Sequence, residues 1–554
     1  MLKSMAMVVA AMLVMAVASG SFAGTTWNIY NSGDQTESTL LADPAPPTDL
    51  LGVRLSSGAG TVNFTAANTY SGGTEVNAGI FRADNASAAG TAGVVVGGSG
   101  QFRLHGPTVA NNVTLADGAK LYVSADSVLD GDVDVTGTVT IGTTGKYMDL
   151  THNGAITGTG GVYFYGANGN QWNGAFSLYG DGTYDGPTEV ARGTKVDAYH
   201  ANALGDGANA ITIKGGTGYG TSSYVAVRNV AGGLNANKSV RVEAISAGYR
   251  GSLQVANGVT LTNNITLAGG QLRKMYDGGS ADTVVSGTIT LEDGVAASDG
   301  SAIRSHLYHG SSGSPMGKML INGRIQGTGG LVISGYNQRD CTFYLNGDNT
   351  YQGGTLIHTT GYNTGSRVHV STDTAFGTGP VELKNTYNDT YYQFVLDADC
   401  AMANAFTGTG RIDANGHTFT STGSMAPGAS TGTIDVEGKL DFQGTYYWEY
   451  DKTDADLVSC DTLTFGGGPC TVDVAWLGPD SPATGDYVLF TYTGADPVIT
   501  APWTVTGDMS GSVRVDDLKD QVILTLGGAP IPEPGSAALM LLGVVGLVRR
   551  RRRA

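Results

Sequence analysis

Charge is scarce in this sequence. Asp, Glu, Lys and Arg make up 14% of its 554 residues, against about a quarter in an ordinary globular chain. The charge present is one-sided: 31 Lys and Arg face 48 Asp and Glu, a formal net charge of −17. So acidic a body repels nucleic-acid backbones and anionic lipid, which argues against a nucleic-acid partner. Cysteine is nearly missing too. Cys341, Cys400, Cys460 and Cys470 form no CxxC pair, so the spacing of a zinc or dithiol redox site is absent. Helical periodicity is missing between the two ends, and no Pro-rich linkers recur at the spacing of a row of β-sandwiches.

Glycine and short apolar runs fill the space. There are 85 glycines, and 41% of residues are hydrophobic. The apolar residues sit in strand-length runs, so this is no disordered composition. Glycine, Asn and Asp supply the corners, since glycine takes positive φ at no steric cost and Asn or Asp tolerates it. Val133-Asp134-Val135-Thr136-Gly137-Thr138-Val139-Thr140-Ile141 alternates at period two, as a strand does.

The ends differ from the middle. Lys3 precedes an apolar stretch from Met5 to Val17, and Ser21-Phe22-Ala23 has the small-x-small form of a cleavage site. These are the parts of a removable secretion signal, residues 1–23, cut between Ala23 and Gly24. The C-terminus carries Pro532-Glu533-Pro534, an apolar stretch from Ala537 to Val548, and Arg549, Arg550, Arg551, Arg552 and Arg553. Twelve apolar residues make a helix of about 18 Å, short of the roughly 30 Å hydrocarbon core. The arginines would hold the extreme end in the cytoplasm. Losing Lys3 and the five arginines would leave the body six units more negative.

Those three elements in that order resemble the PEP-CTERM sorting signal of Gram-negative bacteria, here residues 529–554. The resemblance implies export machinery and an exosortase-type membrane protease as partners, and a transient inner-membrane contact through the tail. It further implies a mature protein at the cell surface or in an exopolysaccharide-rich matrix.

One phrase occurs three times in the middle: Thr69-Tyr70-Ser71-Gly72-Gly73-Thr74, Thr183-Tyr184-Asp185-Gly186-Pro187-Thr188 and Thr350-Tyr351-Gln352-Gly353-Gly354-Thr355. Each precedes a small-residue turn, namely Ala88-Ala89-Gly90, Ala203-Leu204-Gly205 and Ala375-Phe376-Gly377. Weaker echoes fill the gaps: Asn112-Val113-Thr114-Leu115 with Asn264-Ile265-Thr266-Leu267, and Gly158-Thr159-Gly160-Gly161 with Gly327-Thr328-Gly329-Gly330. Short strands separated by tight corners predict an all-β solenoid with coils of about 20–25 residues. The triplicated phrase resembles the autotransporter-associated β-strand repeat, which implies a right-handed parallel β-helix passenger over residues 24–423. Ala426-Pro427-Gly428, Leu440-Asp441-Phe442 and Gly485-Asp486-Tyr487 resemble the distal, β-rich cap of such passengers, residues 424–528. The final arginines stand where the family has a translocator barrel, so another export route is implied.

Motifs that could carry chemistry are few. Gly428-x-Ser430-x-Gly432 matches the nucleophile elbow formally, but a strand is predicted after it where the elbow needs a helix. Asp451, Asp454, Asp456 and Asp461 cluster without the glycine turn of a calcium loop. His306 and His309 have no third ligand nearby. Cys460 and Cys470, on two predicted neighbouring strands, are a candidate disulfide in an oxidising compartment. No catalytic, cofactor-binding or metal residue is assigned, and no cofactor is expected.

The sequence therefore reads as a non-enzymatic structural or adhesive β-rod of the cell surface or matrix, with neighbouring surface proteins or exopolysaccharide as partners. Two alternatives stand beside it. One is a carbohydrate-binding module acting through tyrosine faces, drawn from Tyr163, Tyr165, Tyr391, Tyr392, Tyr446 and Tyr447. The other is a β-helix polysaccharide lyase or hydrolase.

Overall fold

Strands this short can bury their apolar side chains only against the coils before and after them, and the chain does so. A computed structural model describes residues 25–527 except 45–49, 167–173, 192, 217–221, 229, 231–232, 247–248, 276–279, 294–304, 310–316, 336–340, 360–365, 386–391, 429, 452 and 479–483. The expected secretion signal, with Ala23 and Gly24, and the expected sorting tail, with Pro532, Glu533, Pro534 and the arginine cluster, lie outside the described residues. The described chain is an all-β parallel solenoid of about 16 turns, with no helix. It divides into two compact units, Met1–Asp277 with Ala281–His306, and Gly278–Ser280 with Leu307–Ala554.

In the first unit, three parallel sheets share the coils. The first sheet stacks Thr74–Val76, Val94–Val96, Val113–Leu115, Val133–Val135 and Ile156–Gly158. Partners along it lie 20, 19, 20 and 23 residues apart, as Thr74 to Val94, Val94 to Val113, Val113 to Val133 and Val133 to Ile156. The second sheet includes Ile80–Ala83, Gln101–His105, Lys120–Ala125, Val139–Thr143, Val162–Gly166 and Thr188–Ala191. The third includes Ala175–Leu178, Lys195–Ala198 and Tyr224–Val227.

Alternation then decides the core. In Val133-Asp134-Val135 the valines are buried and the aspartate is not, and equivalent positions stack in register, so each sheet lays down inward columns. Phe64 and Phe81 stack with centroids 4.0 Å apart, and Phe102 follows at 5.7 Å. Such pairs contribute about 0.5–1.5 kcal/mol each beyond their burial.

Corners are built from asparagine, aspartate and stacked backbone. Buried Asn111 Nδ2 donates to the carbonyls of Gly90 and Ala92 in the preceding coil. Asn263 and Asn404 make the same bridge, to Asn235 and Lys238, and to Gly377 and Gly379. Each stands two residues before a buried strand residue, Val113, Ile265 and Phe406. Exposed side chains brace the corners in a related way. The carbonyl or carboxylate oxygens of Asn112, Asp117, Asp132 and Asp149 accept from the main-chain N–H of Asp132, Thr138, Ala155 and Ala175. Many of the acids thus serve as corner acceptors.

In the second unit, parallel pairing runs on past residue 424. Thr433–Phe442 pairs Ala405–Ser421 on one side and Leu457–Thr464 on the other. Apart from isolated antiparallel bridges at Gly408–Gly428 and Tyr450–Ala455, pairing among the described residues turns antiparallel at the distal end, where Gln521–Leu526 lies between Gly485–Thr491 and Gly511–Asp516. Reversal there replaces a growing parallel edge with a local meander, one way of blunting an edge.

Candidate interaction surfaces

The repeated phrase is the strongest sequence signal, and its side chains point inward. Tyr70, Tyr184 and Tyr351 are all fully buried. Each hydroxyl meets the threonine four residues on: Tyr70 with Thr74 at 2.6 Å, Tyr184 with Thr188 at 2.6 Å and Tyr351 with Thr355 at 2.5 Å. Thr74 and Thr188 pass the bond on to the carbonyls of Ala89 and Leu204 in the next turn. Burial raises all three tyrosines well above the ordinary phenol value. The carbonyls of Tyr70 and Tyr351 accept from Thr91 and Thr378, directly after the small-residue turns. Thr69, Thr183 and Thr350 donate their N–H to the preceding coil.

The glycine echoes have the same logic. Gly186 lies directly over Gly160 and Gly161, and Gly353 over Gly329 and Gly330, so a Cβ at either position would strike backbone. Gly72 likewise lies against the Leu51 backbone, and its N–H donates to Leu51 O at 2.7 Å. Gly73 and Gly354 take positive φ. The phrase is a structural latch.

Cys460 and Cys470 are not brought together. Both are buried and free. Cys460 lies on Leu457–Thr464 and Cys470 directly before Thr471–Trp476, and these strands pair with different neighbours, because the intervening residues turn a coil corner and do not join neighbouring strands. Cys460 Sγ faces Thr491 O at 3.8 Å and Cys470 Sγ faces Phe442 O at 3.6 Å. Burial pushes the thiols up to about 12 and about 11. Cys400 is also buried and free, and the side chain of Cys341 lies outside the described residues.

The aspartate cluster is turned to backbone. Asp451 accepts from Thr453 and Asp454 N–H, which hold its carboxyl below the ordinary range. Buried Asp456 accepts from Gly432 and Glu449 N–H, and burial pushes it up to about 7. Among the described residues no group of three His, Cys, Asp or Glu could hold a metal ion. The side chains of His306, His309, Tyr391 and Tyr392 lie outside the described set. Ser430 is exposed, and strand Thr433–Phe442 follows it, without the helix an elbow needs.

Outward positions carry aromatic and charged side chains in rows. Phe164 is buried while Tyr163 and Tyr165 point out, with ring centroids 5.6 Å apart. Register puts Tyr165 beside Gly142, Gly142 beside Tyr122, Tyr122 beside Arg103 and Arg103 beside Arg82. The Tyr122 ring lies across Gly142, where a Cβ would collide with it. Next to this row a shallow depression of about 280 Å³ is lined by Thr138, Thr140, Tyr163, Pro187, Glu189 and Thr212, among others. On the third sheet, Tyr179 and Tyr199 stack at 4.3 Å and 9°. In the second unit, Tyr344 stacks on His369 at 4.4 Å, with Lys318 Nζ 4.7 Å from the tyrosine ring. Tyr446 is buried, whereas its neighbour Tyr447 is 48% exposed. Alternation in Tyr163-Phe164-Tyr165 allows one ring in and two out or the reverse, and gives no sign of these rows, whose members come from different coils.

Comparison with known proteins gives two matches. A family model described as Passenger-associated-transport-repeat matches residues 57–83 and 342–361, which hold the first and third copies of the phrase. The "Adhesin BmaC autotransporter" of Brucella suis biovar 1 (strain 1330) is 27% identical over 281 residues. That stretch is 46% of this chain but 7% of the adhesin, so the chain spans a small part of that protein's length. No solved structure matches. Among the described residues, no helix is long and apolar enough to cross a membrane.

Proposed function

We propose that this chain is an exported, non-enzymatic protein of the bacterial surface or matrix, whose solenoid holds adhesive faces away from the cell. The observation that carries this reading is the division of labour in the coils. The repeated residues are spent on the latch, while outward positions form stacked aromatic and charged rows on regular sheets. The passenger-type repeats and the likeness to an adhesin support it. Sorting through residues 529–554 belongs to the same proposal: an exosortase-type protease removes the tail near Pro532-Glu533-Pro534 and releases the body to the envelope.

The test compares cells with and without the gene for attachment to surfaces and to one another, with intact-mass measurement of the envelope form. Loss of attachment on deletion, and a mass lacking Arg549 to Arg553, are expected. Unchanged attachment would end the adhesive reading, and retained arginines would end the sorting one. The aromatic rows favour a second reading, glycan binding, over polysaccharide cleavage. Incubation with a polysaccharide panel separates them, since a lyase or hydrolase releases oligosaccharides and a binder only co-sediments.

A further inference from the structure

We infer that the outer face of the second sheet in the first unit binds an acidic polysaccharide, with Arg82 and Arg103 taking its carboxylates and Tyr122 stacking on a sugar ring. This deepens the adhesive reading and rests on it.

Arg82 and Arg103 form an unfavourable pair. They are direct partners on adjacent parallel strands, and both side chains point outward. Like charges placed opposite each other destabilise a sheet. A purely structural face gains nothing from the arrangement, and local rules broken without compensation mark functional sites. Asp84 offsets one of the two, 2.7 Å from Arg82 Nε. Arg103 has an uncharged partner: oriented by its hydrogen bonds, the Gln101 amide oxygen accepts from Nε at 2.8 Å and Nη2 at 3.0 Å. Burial and the neighbouring Arg82 both push Arg103 below the ordinary guanidinium value, a cost that a bound anion would relieve.

The neighbours specify what kind of anion. Lys120 is exposed on the same strand face as Tyr122 and extends the cationic patch. Tyr122 follows Arg103 in the row, and its ring leans across Gly142 one coil further on, so aromatic surface continues the row from the guanidinium. Guanidinium recognises planar carboxylates bidentately, and tyrosine offers an apolar face with a polar tip. Carboxylate beside a ring with an apolar face describes a uronic acid. Successive coils place Tyr122, Gly142 and Tyr165 in line, which suits a polymer lying along the stack of coils. In a chain of net charge −17, this patch is where complementarity to an anion is local.

The experiment uses the full chain, with polygalacturonate and its fully methyl-esterified form as probes, by calorimetry at low and at physiological salt. Binding to the acid polymer, weakened by salt and by esterification, is expected. Arg103→Gln should weaken it at least tenfold, Arg103→Lys less, and Tyr122→Thr more than Tyr122→Phe. Arg103→Gln removes a like-charge pair on an outward position, so its melting temperature should hold or rise. Equal affinity for both polymers, no binding to either, or Arg103→Gln binding like the parent would overturn the assignment. Release of oligosaccharides would instead overturn the non-enzymatic reading and leave the contact assignment standing.

Discussion

Tyr351 Oη and Thr355 Oγ1 lie 2.5 Å apart inside the solenoid. The tyrosine carbonyl accepts from Thr378 N–H in the next coil, and Gly377 of that coil lies against the tyrosine ring. One side chain thereby joins two successive coils. The same hydroxyl pair and glycine contact recur at Tyr70 with Thr74 and Gly90, and at Tyr184 with Thr188 and Gly205.

Removing the hydroxyl alone should cost little, and removing the ring a great deal. Tyr351→Phe is expected to lose about 1 kcal/mol, with Thr355 left short of a partner, and Tyr351→Ala about 3–5 kcal/mol. Denaturant titrations of Tyr351→Phe, Thr355→Val and the double variant should show that the two single losses do not add. Full additivity would mean the hydrogen bond is idle.

Gly377 should tolerate no side chain. Its φ is 64°, and a Cβ would collide with the Tyr351 carbonyl and come within 3.0 Å of the ring. Gly377→Ala is expected to cost about 3 kcal/mol, from overpacking and left-handed strain together. A melting temperature equal to the parent's would show that the coil can shift to make room.

Lys238 stands where other corners have asparagine. Like Asn111 and Asn263 it lies two residues before a strand, but its buried Nζ has no hydrogen-bond partner and sits 5.5 Å from the Tyr184 ring centre. Burial lowers its proton affinity. Lys238→Asn should therefore raise stability by about 1–2 kcal/mol, by removing a buried unpaired amine and bridging the preceding corner. A fall in the unfolding midpoint would show that the contact with the ring outweighs the bridge.

His152 gives a dependence on pH. It is buried, its Nε2 lies 3.1 Å from Gly131 O, and burial holds its folded value below the ordinary 6.5. A depressed folded value means that its contribution is present above about 6.5 and lost as pH falls through the folded value. His152→Gln keeps a donor for Gly131 O and does not titrate. Between pH 7 and pH 5 the variant should lose less stability than the parent, and parallel curves would remove His152 from the acid response.

Cys460 and Cys470 should react as thiols. With no reductant present, both are expected to resist alkylation in the folded protein and to be labelled once it is unfolded, as peptide mass mapping would show. A linked peptide pair would mean that the corner between them rearranges during export.

Much of the fold was legible because a solenoid repeats its solution. Alternating Val133 to Ile141, the corner asparagines and the triplicated phrase each point to strands stacked on neighbouring coils; the expected coil of about 20–25 residues fits the first sheet, but the spacing lengthens to 29 between Lys195 and Tyr224 and 33 between Thr471 and Thr504. The echo Gly158-Thr159-Gly160-Gly161 was visible as a pattern, but its reason was not. It underlies the Tyr184 phrase one coil later because backbone there rests on backbone. The cysteine pairing failed for a related reason, since sequence proximity does not tell a hairpin from a corner between different sheets.

The sequence by itself determined that short alternating strands are joined by tight corners, since both follow from period-two alternation and the backbone freedom of glycine, asparagine and aspartate. Only the tertiary structure decided which coils meet. Register between partners such as Val94 and Val113, 19 residues apart, or Lys195 and Tyr224, 29 apart, varies from coil to coil. The same kind of register brings Arg82 beside Arg103 and lays Tyr122 over Gly142. Nothing local fixes it; it is set by the inward columns, which must stack apolar on apolar, and the outward rows follow as their consequence.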